Sequence, residues 1–410
     1  MSYQFTTTIS REAFDQFVST CSMKTIFQTS QWATIKKEWE PLFTAVTKND
    51  EIVAASLVLI RKLPLGYTLF YLPRGPVLDY SNTELLSFYF NHLKKTAKKR
   101  RAISIKIDPN ILLSSTPIKE PIEEVRTSFE LDQLEKLGFK HFGFNKDLYS
   151  SSQPRYSACL YYQEDFEAQA KGMKAQREIK KAKKKGLEIQ RLSYEQLDIF
   201  SELMKKTEQR KGVALRSLEY FQRIYQAFQD DCYVIISTLN QKERLEEAQE
   251  LFEQLETAIN QQKLAGTRLN QAVDQRNSLE KEIAFLEEKI KEYGDTAAIS
   301  GLLAVRDSKT CELLYAGMND EYKKYYGTYY TYFSGIEWGQ QSGCEVCNFG
   351  GIPGTLDDGL TEFKSFFSPN VDEYIGEFDL PVNKIVYPIF TSLLPSVKKL
   401  RKKLRGNKNK

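Results

Sequence analysis

The sequence of 410 residues is longer than one hydrophobic core usually organises, so it predicts two domains and an accessory element. It is 41% hydrophobic and 12% aromatic, which excludes a disordered composition. The net charge of +4 conceals two basic segments: residues 171–185 hold eight Lys or Arg against one Glu, and residues 398–410 hold eight and no acid. Such segments suit phosphate-bearing partners: nucleic acid, anionic lipid or a phosphorylated precursor.

The N-terminal residues contain no basic stretch followed by an apolar one, and the longest strongly apolar run covers only residues 52–60. We therefore predict neither a signal peptide nor a membrane span. The six cysteines are scattered along the chain, which favours free thiols and a cytoplasmic location.

Helical and strand patterns alternate through the first lobe, which we assign to residues 1–150. Helices are predicted over residues 9–21 and 83–100, and strands over residues 52–63, 68–78 and 102–109. This alternation is typical of an α/β fold.

A similar order of elements starts near Tyr156, and we assign residues 151–240 and 293–385 to a second lobe. Strands are predicted at 156–162, 187–193, 232–239, 300–307 and 311–318, and helices at 171–185, 194–210 and 322–341. The repeated order suggests two copies of one α/β unit. It resembles acetyltransferase (GNAT) folds, but the acyl-CoA loop R/Q-x-x-G-x-G/A of such folds is missing, which argues against CoA as donor.

Residues 241–292 separate the two parts of the second lobe, and we predict that they form an antiparallel coiled-coil hairpin inserted into it. The hairpin segment contains no Pro, and apolar residues follow three–four spacing on both sides of a break at residues 265–266. With eight Lys or Arg and twelve Asp or Glu, its net charge is −4. This sign disfavours broad contact with tRNA phosphates, so local tRNA contact and a protein-contact or spacer role both remain open.

The basic segment 171–185 is predicted to be a helix with Gln176, Ile179 and Ala182 on its inner face. Because acids are almost absent from its outer face, we favour phosphate or tRNA contact over a merely solvated surface. The candidate residues are Lys174, Arg177, Lys180, Lys181 and Lys184.

The C-terminal segment 386–410 is predicted to be a basic tail in which apolar residues precede a cationic cluster. One Lys or Arg near an anionic bilayer contributes on the order of 1 kcal/mol. The tail therefore suits peripheral contact with an anionic membrane surface, and a disordered solubilising tail is the alternative.

Familiar catalytic constellations are absent from the sequence. With only His92 and His141, a Ser–His–Asp triad or a histidine-rich metal site is poorly supported. The pair Cys344 and Cys347 lacks a second pair, and the glycines at 350–354 match neither a P-loop nor a dinucleotide fingerprint. We predict no metal and no cofactor.

Eight segments in order resemble the FemABX family of tRNA-dependent peptidyl-bridge aminoacyltransferases, in particular its streptococcal MurM and MurN branch. They are FQTSQWATIKKEWEP (27–41), FYLPRGPVLD (70–79), IKIDPNI (105–111), QRKGVALRSLEYFQRI (209–224), LLYAGMND (313–320), NFGGIPG (348–354), EFKSFF (362–367) and EYIGEFD (373–379). The ordered set carries the resemblance, since no single segment is diagnostic.

The resemblance implies two acetyltransferase-like lobes that share a cleft. Family members that act on membrane-bound precursor carry a hairpin insertion, so lipid II or branched lipid II is the expected acceptor rather than the soluble UDP-linked precursor. The donor is expected to be aminoacyl-tRNA, with Ala or Ser favoured and Gly possible. The acceptor amine would belong to the stem-peptide lysine or to a first bridge residue, and a cytoplasmic enzyme at the inner membrane face is implied.

The resemblance also implies roles for individual residues. Lys36 and Arg216 match the two cations that hold the precursor's diphosphate. Asp108 matches an acid near the acceptor amine, Tyr315 a tyrosine that lines the acceptor site, and Lys364 a lysine at the transfer centre. We expect Lys364 to contribute more to rate than Asp108. Ile103 departs from the family pattern, because the soluble-precursor enzyme has a substrate-contacting tyrosine there.

Two other functions remain open from the sequence alone. One is a CoA-dependent N-acyltransferase, which the missing acyl-CoA loop disfavours. The other is a non-catalytic adaptor that binds nucleic acid through residues 171–185 and a protein through the hairpin.

Overall fold

The computed structural model describes residues 2–122, 126–211 and 216–393, which form two mixed β-sheets flanked by helices. The first lobe contains β1 (Tyr3–Thr6), α1 (Arg11–Thr20), α2 (Ser30–Ile35), β2 (Glu40–Lys48), β3 (Glu51–Lys62), β4 (Thr68–Leu72), β5 (Val77–Leu78), α3 (Thr83–Lys99), β6 (Ala102–Ile107), β7 (Leu112–Pro117), α4 (Phe129–Lys136) and β8 (Lys140–His141).

The rest of the described chain contains β9 (Tyr156–Tyr161), α5 (Phe166–Gly172), α6 (Ala175–Lys184), β10 (Leu187–Arg191), α7 (Leu197–Lys211), α8 (Leu218–Phe228), β11 (Cys232–Asn240), α9 (Gln241–Asn260), α10 (Thr267–Tyr293), β12 (Thr296–Arg306), β13 (Thr310–Met318), α11 (Gly327–Gln341), β14 (Val346–Ile352), α12 (Gly359–Ser365), β15 (Asn370–Tyr374) and β16 (Phe378–Pro381). The fold class predicted from the sequence, two α/β lobes of acetyltransferase type with a helical hairpin in the second, is confirmed.

The two sheets exchange strands. The first sheet has the order β1-β2-β3-β4-β6-β16-β8, with β5 paired to β3, and the second has the order β10-β11-β12-β13-β14-β9-β15-β7. Thus β16, near the end of the described chain, pairs with β6 and β8, while β7 pairs with β15 in the second sheet. The domain limits at residues 150 and 385 stay predictions.

Strand β3 shows why helices cover both faces of the first sheet. Seven consecutive residues, from Ala54 to Ile60, are buried. Ala55, Leu57 and Leu59 face a core shared with α1 and α2, whereas Ala54, Val58 and Ile60 face a core shared with α3. A continuous apolar strand of this kind is stable only between two packed layers.

One hydrophobic core joins the two lobes. Phe14 of α1 and Trp32 of α2 belong to the same cluster as Phe200 of α7 and Phe221 of α8. Helix α2 packs directly against α8, so the contact between the lobes is apolar and extensive.

The hairpin is anchored at its base by polar contacts as well as by its apolar seam. Ala248, Ala272, Leu279 and Leu286 are buried along the α9–α10 seam. Glu282 of α10 accepts hydrogen bonds of 3.0 Å from Lys185 and 3.1 Å from Arg244. Although burial alone would raise it, these cations hold the pKa of the Glu282 carboxyl below its usual value.

The helix predicted at residues 322–341 is divided in the structure. A short 3₁₀ turn ends at Tyr326, whose left-handed backbone (φ 60°) precedes α11. A Cβ atom on Gly327 would lie 2.6 Å from the Ser237 Oγ, so the close approach of α11 to the sheet requires glycine there.

A further helix begins at residue 386 and reaches the end of the described chain at residue 393. Ile385, Ile389 and Leu393 lie exposed at four-residue spacing. Most of the predicted basic tail, including residues 398–410, lies outside the described residues. In the described part of the chain, no helix has the length and apolarity that crossing a bilayer would need.

Candidate active site between the two lobes

A cavity of about 580 Å³ lies between the lobes. The first lobe contributes Trp32, Lys36, Tyr71 and Arg74, and the second contributes one face of its sheet. The sheet residues that line it are Ser157, Cys159, Tyr161, Thr310, Glu312, Leu314, Tyr315, Val346, Asn348, Asp372 and Tyr374. Alternation along β9 and β15 accounts for Ser157, Cys159 and Tyr161 and for Asp372 and Tyr374, because residues two apart in a strand point to the same side.

A β-bulge in β13 brings two functional candidates to the same face. Leu303 of β12 pairs with Tyr315, but the next residue, Ala304, pairs with Leu313, so that Leu314 is the extra residue. Residues three apart normally point to opposite faces of a strand. Because the bulge adds one residue to the strand, Glu312 and Tyr315 point to the same side of the sheet. Both side chains therefore line the cavity.

Lys36 and Arg216, the two predicted diphosphate ligands, come together at one end of the cavity. Lys36 follows the last turn of α2, and Arg216 precedes α8, so the packing of α2 against α8 brings them together. The Lys36 Nζ donates a hydrogen bond of 3.0 Å to the Tyr220 hydroxyl. The Arg216 guanidinium lies 4.8 Å from the Tyr220 ring centroid, and, although burial opposes it, the interaction with Tyr315 raises the pKa of Arg216.

The environment of Lys36 disfavours its positive charge. Burial, followed by the positive charge of Arg216, lowers the pKa of the Lys36 ammonium to about 8. Within the described residues, neither cation forms an ion pair with a carboxylate at 4.0 Å or less. An anionic ligand at this end would therefore be stabilised by both cations.

Asp108, the predicted acid near the acceptor amine, lies behind the cavity wall rather than on it. It is 2% exposed, and its two oxygens accept from the Arg74 backbone N–H at 2.6 Å and from the Tyr71 hydroxyl at 2.7 Å. Burial raises the pKa of this carboxyl to about 7, although Arg74 opposes the shift. Direct contact between Asp108 and an acceptor would need these bonds to open.

Arg74 is a buried cation that the sequence reasoning missed. Its guanidinium donates a 2.8 Å hydrogen bond to the Pro154 carbonyl and stacks 4.0 Å from the Tyr374 ring centroid. Its positive charge acts on both Asp108 and Glu312. The signal available in the sequence was its place in FYLPRGPVLD, one of the segments that carry the family resemblance.

Lys364, the predicted transfer-centre lysine, also lies just behind the cavity. It is 3% exposed, and its Nζ donates 2.9 Å hydrogen bonds to the carbonyls of Gly350 and Gly351. Both glycines line the cavity. A Cβ atom on Gly351 would lie 2.5 Å from Leu148 and Pro154 side-chain atoms, so this segment can approach them only as glycine.

The five basic candidates at the start and along α6 do not line the cavity. Lys174, Arg177, Lys180 and Lys184 are exposed, whereas Lys181 is half-buried and forms a 2.8 Å ion pair with Glu178. The inner face of the helix differs from the prediction. It consists of Ala175, Glu178, Ile179 and Ala182, while Gln176 is only half-buried.

Comparisons with known proteins agree with this architecture. A model described as the FemAB family matches residues 9–394. A relative from Staphylococcus aureus (strain bovine RF122 / ET3-1), named lipid II:glycine glycyltransferase, is 29% identical over 423 aligned residues. One of the same name from Staphylococcus saprophyticus subsp. saprophyticus is 29% identical over 415. Each match covers 97% of this chain and 97% of the relative.

A solved structure described as the crystal structure of FemX has a TM-score of 0.74 and 27% sequence identity to this chain. The superposition covers 95% of this chain and 99% of that one. The shared fold therefore includes both lobes and most of the insertion.

Proposed function

This chain belongs to the FemAB family, and we propose that it transfers a small amino acid from aminoacyl-tRNA to an amine of a lipid-linked peptidoglycan precursor. The family and the aminoacyltransferase class predicted from the sequence are confirmed by the family match and by the relatives. Donor, acceptor and amino acid are the proposed parts.

The observation that carries the choice of acceptor is the convergence of Lys36 and Arg216. They come from different lobes, both line the cavity between the lobes and share Tyr220 as a neighbour. Two cations at one locus suit the two negative charges of a diphosphate, and such contacts fix the position of a substrate. The diphosphate of lipid II is the group that we propose binds there, with Tyr315 beside it.

The chemistry asks little of the protein because an aminoacyl ester is already activated. Transfer needs alignment of the amine with the ester, loss of a proton and stabilisation of the tetrahedral oxyanion. We propose that Lys364 contributes by holding Gly350 and Gly351 at the cavity wall, which makes it a positioning residue. Asp108 holds Tyr71 and the Arg74 backbone in the same way.

Glycine, alanine and serine are the candidate amino acids. The names of the two staphylococcal relatives support glycine. The narrower resemblance to the streptococcal branch supports alanine or serine and stays a prediction.

For the tRNA, we propose contact through the exposed cations Lys174, Arg177, Lys180 and Lys184. Lys181 is instead held in an ion pair with Glu178 on the same helix and has a supporting role. For the membrane, we propose that the tail at residues 398–410 docks on anionic lipid. Deletion of that tail should reduce co-sedimentation with anionic vesicles but not with neutral ones, and equal recovery would contradict the docking role.

The function is tested by incubating the protein with lipid II and, separately, with glycyl-, alanyl- and seryl-tRNA. A mass increment of one amino acid on the precursor supports the proposal and identifies the residue transferred. Parallel reactions with soluble UDP-linked precursor test the acceptor. Acetylation from acetyl-CoA would indicate the alternative enzyme, and no transfer with retained tRNA binding would indicate an adaptor.

A further inference from the structure

Glu312 is a carboxylate at the wall of the cavity between the lobes. Among the described residues that line the cavity, three are acidic: Glu312, Asp372 and Glu345. Asp372 accepts hydrogen bonds from the hydroxyls of Ser115 at 2.6 Å and Tyr161 at 2.9 Å. Glu345 has a side chain that is 66% exposed and lies 3.8 Å from Lys309.

Glu312 differs from both. It is only 9% exposed, and within the described chain no Lys, Arg or His lies within 4.0 Å of its carboxylate. The Asn348 amide is its polar neighbour and acts to lower the pKa of the carboxyl. A nearly buried carboxylate that faces a cavity with a single neutral donor retains free lone pairs for a ligand.

A chain of hydrogen bonds fixes the position of Asn348, the polar neighbour of Glu312. The Lys364 Nζ holds the Gly350 carbonyl at 2.9 Å, and the Gly350 N–H donates to the Asn348 Oδ1 at 2.8 Å. The Asn348 amide oxygen is thereby occupied, which leaves its NH₂ group as the donor that is available on the side of Glu312. Lys364 would thus act on the transfer centre through three residues, without contacting substrate.

The charges around Glu312 suit a cationic ligand. Burial, followed by the negative charge of Asp307, raises the pKa of this carboxyl to about 8, against the effects of Arg74 and Asn348. Asp307 itself lies 3.9 Å from Lys24. The other titratable groups that line this cavity or interact with Glu312 include Cys159, Tyr161, Cys311, Asp372 and Tyr374 of the sheet, and Lys24, Lys309 and Glu345 at its loops.

The raised pKa makes Glu312 a better base for an ammonium group than an exposed carboxylate. A lysine ammonium has a pKa of about 10.4 and an ordinary Glu one of about 4.3, a gap of about 6. At Glu312 the difference between the two pKa values narrows to about 2. An arriving ammonium also favours the ionised carboxylate, since opposite charges stabilise each other in a buried site.

We propose that Glu312 binds the primary ammonium group of the acceptor and removes its proton before the amine attacks the aminoacyl ester. The proposal rests on the proposed function. The ammonium gives one proton to Glu312, and the amine nitrogen bonds to the ester carbonyl carbon. As the C–O bond to the tRNA ribose breaks, the second nitrogen proton passes to the departing oxygen. Glu312 then releases its proton to water.

The test compares Glu312→Gln with Glu345→Gln, which removes a carboxylate from the exposed rim of the same cavity. Glu312→Gln should lower kcat by about 10²–10⁴-fold, the usual contribution of a general base. Because the ammonium contact is lost while the diphosphate end is intact, the Kd for lipid II should rise by no more than about tenfold, which is much less than the loss in kcat. Glu345→Gln should retain wild-type kcat, and Glu312→Asp should be intermediate.

The pH profile separates a base from a merely structural residue. Wild-type kcat should rise with pH to a plateau that is reached below about pH 8, because the bound ammonium lowers the pKa of Glu312 from its value of about 8 in the free protein. The residual rate of Glu312→Gln should continue to rise beyond pH 9, following ionisation of the free amine. A variant with at least a third of wild-type kcat, or with an unchanged pH profile, would overturn the proposal.

Failure of the proposed function has a different signature. If the wild-type protein transfers nothing from any charged tRNA, the function fails but the ammonium site can still be measured. A lysine-containing stem peptide should then bind Glu312→Gln about tenfold more weakly than wild type. The same peptide with an acetylated lysine should bind both proteins alike, and equal affinity for the unmodified peptide would overturn the ammonium site.

Discussion

Lys36 of the first lobe donates a 3.0 Å hydrogen bond to Tyr220 of the second, and this bond lies where the two lobes close one end of the cavity. The Tyr220 ring also lies 4.8 Å from the Arg216 guanidinium. One aromatic side chain therefore orients two cations that are distant in sequence.

Arg216→Ala should raise the KM for lipid II by roughly 10–100-fold while kcat changes little. The estimate follows from the loss of a charge-assisted hydrogen bond, worth about 1.5–3 kcal/mol. Steady-state kinetics with varied lipid II and saturating aminoacyl-tRNA measure this KM and kcat. Arg210→Ala is the control, because Arg210 pairs with Asp320 away from the cavity. An unchanged KM would exclude Arg216 from the diphosphate site.

Affinity for lipid II should weaken as pH rises through about 8. Lys36 has a pKa of about 8 in the free protein, and a bound diphosphate raises it, so the ligand prefers the protonated form. Binding is then strongest below pH 8 and falls by up to tenfold per pH unit above it, until the pKa of the complex is reached.

Titrations of lipid II binding between pH 6.5 and 9.5 measure this dependence. Lys36→Arg stays charged throughout that range, so its affinity should be nearly flat in pH. A wild-type curve as flat as that of Lys36→Arg would contradict the assignment of Lys36 to the diphosphate.

Lys364→Ala should reduce kcat by 10-fold or more with the Kd for lipid II largely unchanged. The reason is that the Gly350 and Gly351 carbonyls lose their shared donor and the cavity wall loses its fixed position. Lys205→Ala, which removes an exposed lysine paired with Glu202, is the control.

Thermal unfolding of both lysine variants separates a local effect from global loss of structure. Retention of the wild-type rate by Lys364→Ala would remove this lysine from the mechanism. Loss of lipid II binding in parallel with rate would instead indicate that the second lobe no longer folds correctly.

The double variant Lys180→Glu and Lys184→Glu should raise the KM for aminoacyl-tRNA by about 10-fold at low salt, with a smaller effect at high salt. Both side chains are exposed on α6, and phosphate contacts are screened by counterions. Lys95→Glu with Lys98→Glu, on exposed positions of α3, makes the same charge change in the other lobe. An equal effect of both pairs would indicate general electrostatic attraction rather than a tRNA site on α6.

The sequence predicted several helices and strands well because the spacing of apolar residues that defines each one lies within a single short segment. The three–four spacing and the break near Gly266 predicted the hairpin, and the structure places α9 and α10 on either side of that break. The meeting of Lys36 and Arg216 followed from the family resemblance. Hydrophobic periodicity alone could not have predicted that the two residues are neighbours, because their proximity depends on the packing of α2 against α8.

Other features depend on contacts between distant segments. Glu312 lies within the apolar strand CELLYAGM, and only the bulge at Leu314 and the pairing of β13 with β14 turn it to the cavity. The position of Arg74 depends on its left-handed backbone (φ 53°) and on Asp108, 34 residues away. A sequence pattern carries no information on which distant strand will be the neighbour.

The exchange of strands between the sheets has a consequence for synthesis on the ribosome. β16 lies between β6 and β8 in the first sheet, and Lys106 next to this junction pairs with Glu377, 271 residues later. At about 5–20 residues per second, β6 emerges roughly 15–50 s before its partner. During that interval one edge of the nascent first lobe stays open to wrong pairing, and neither lobe can complete its sheet until nearly the whole chain has been made.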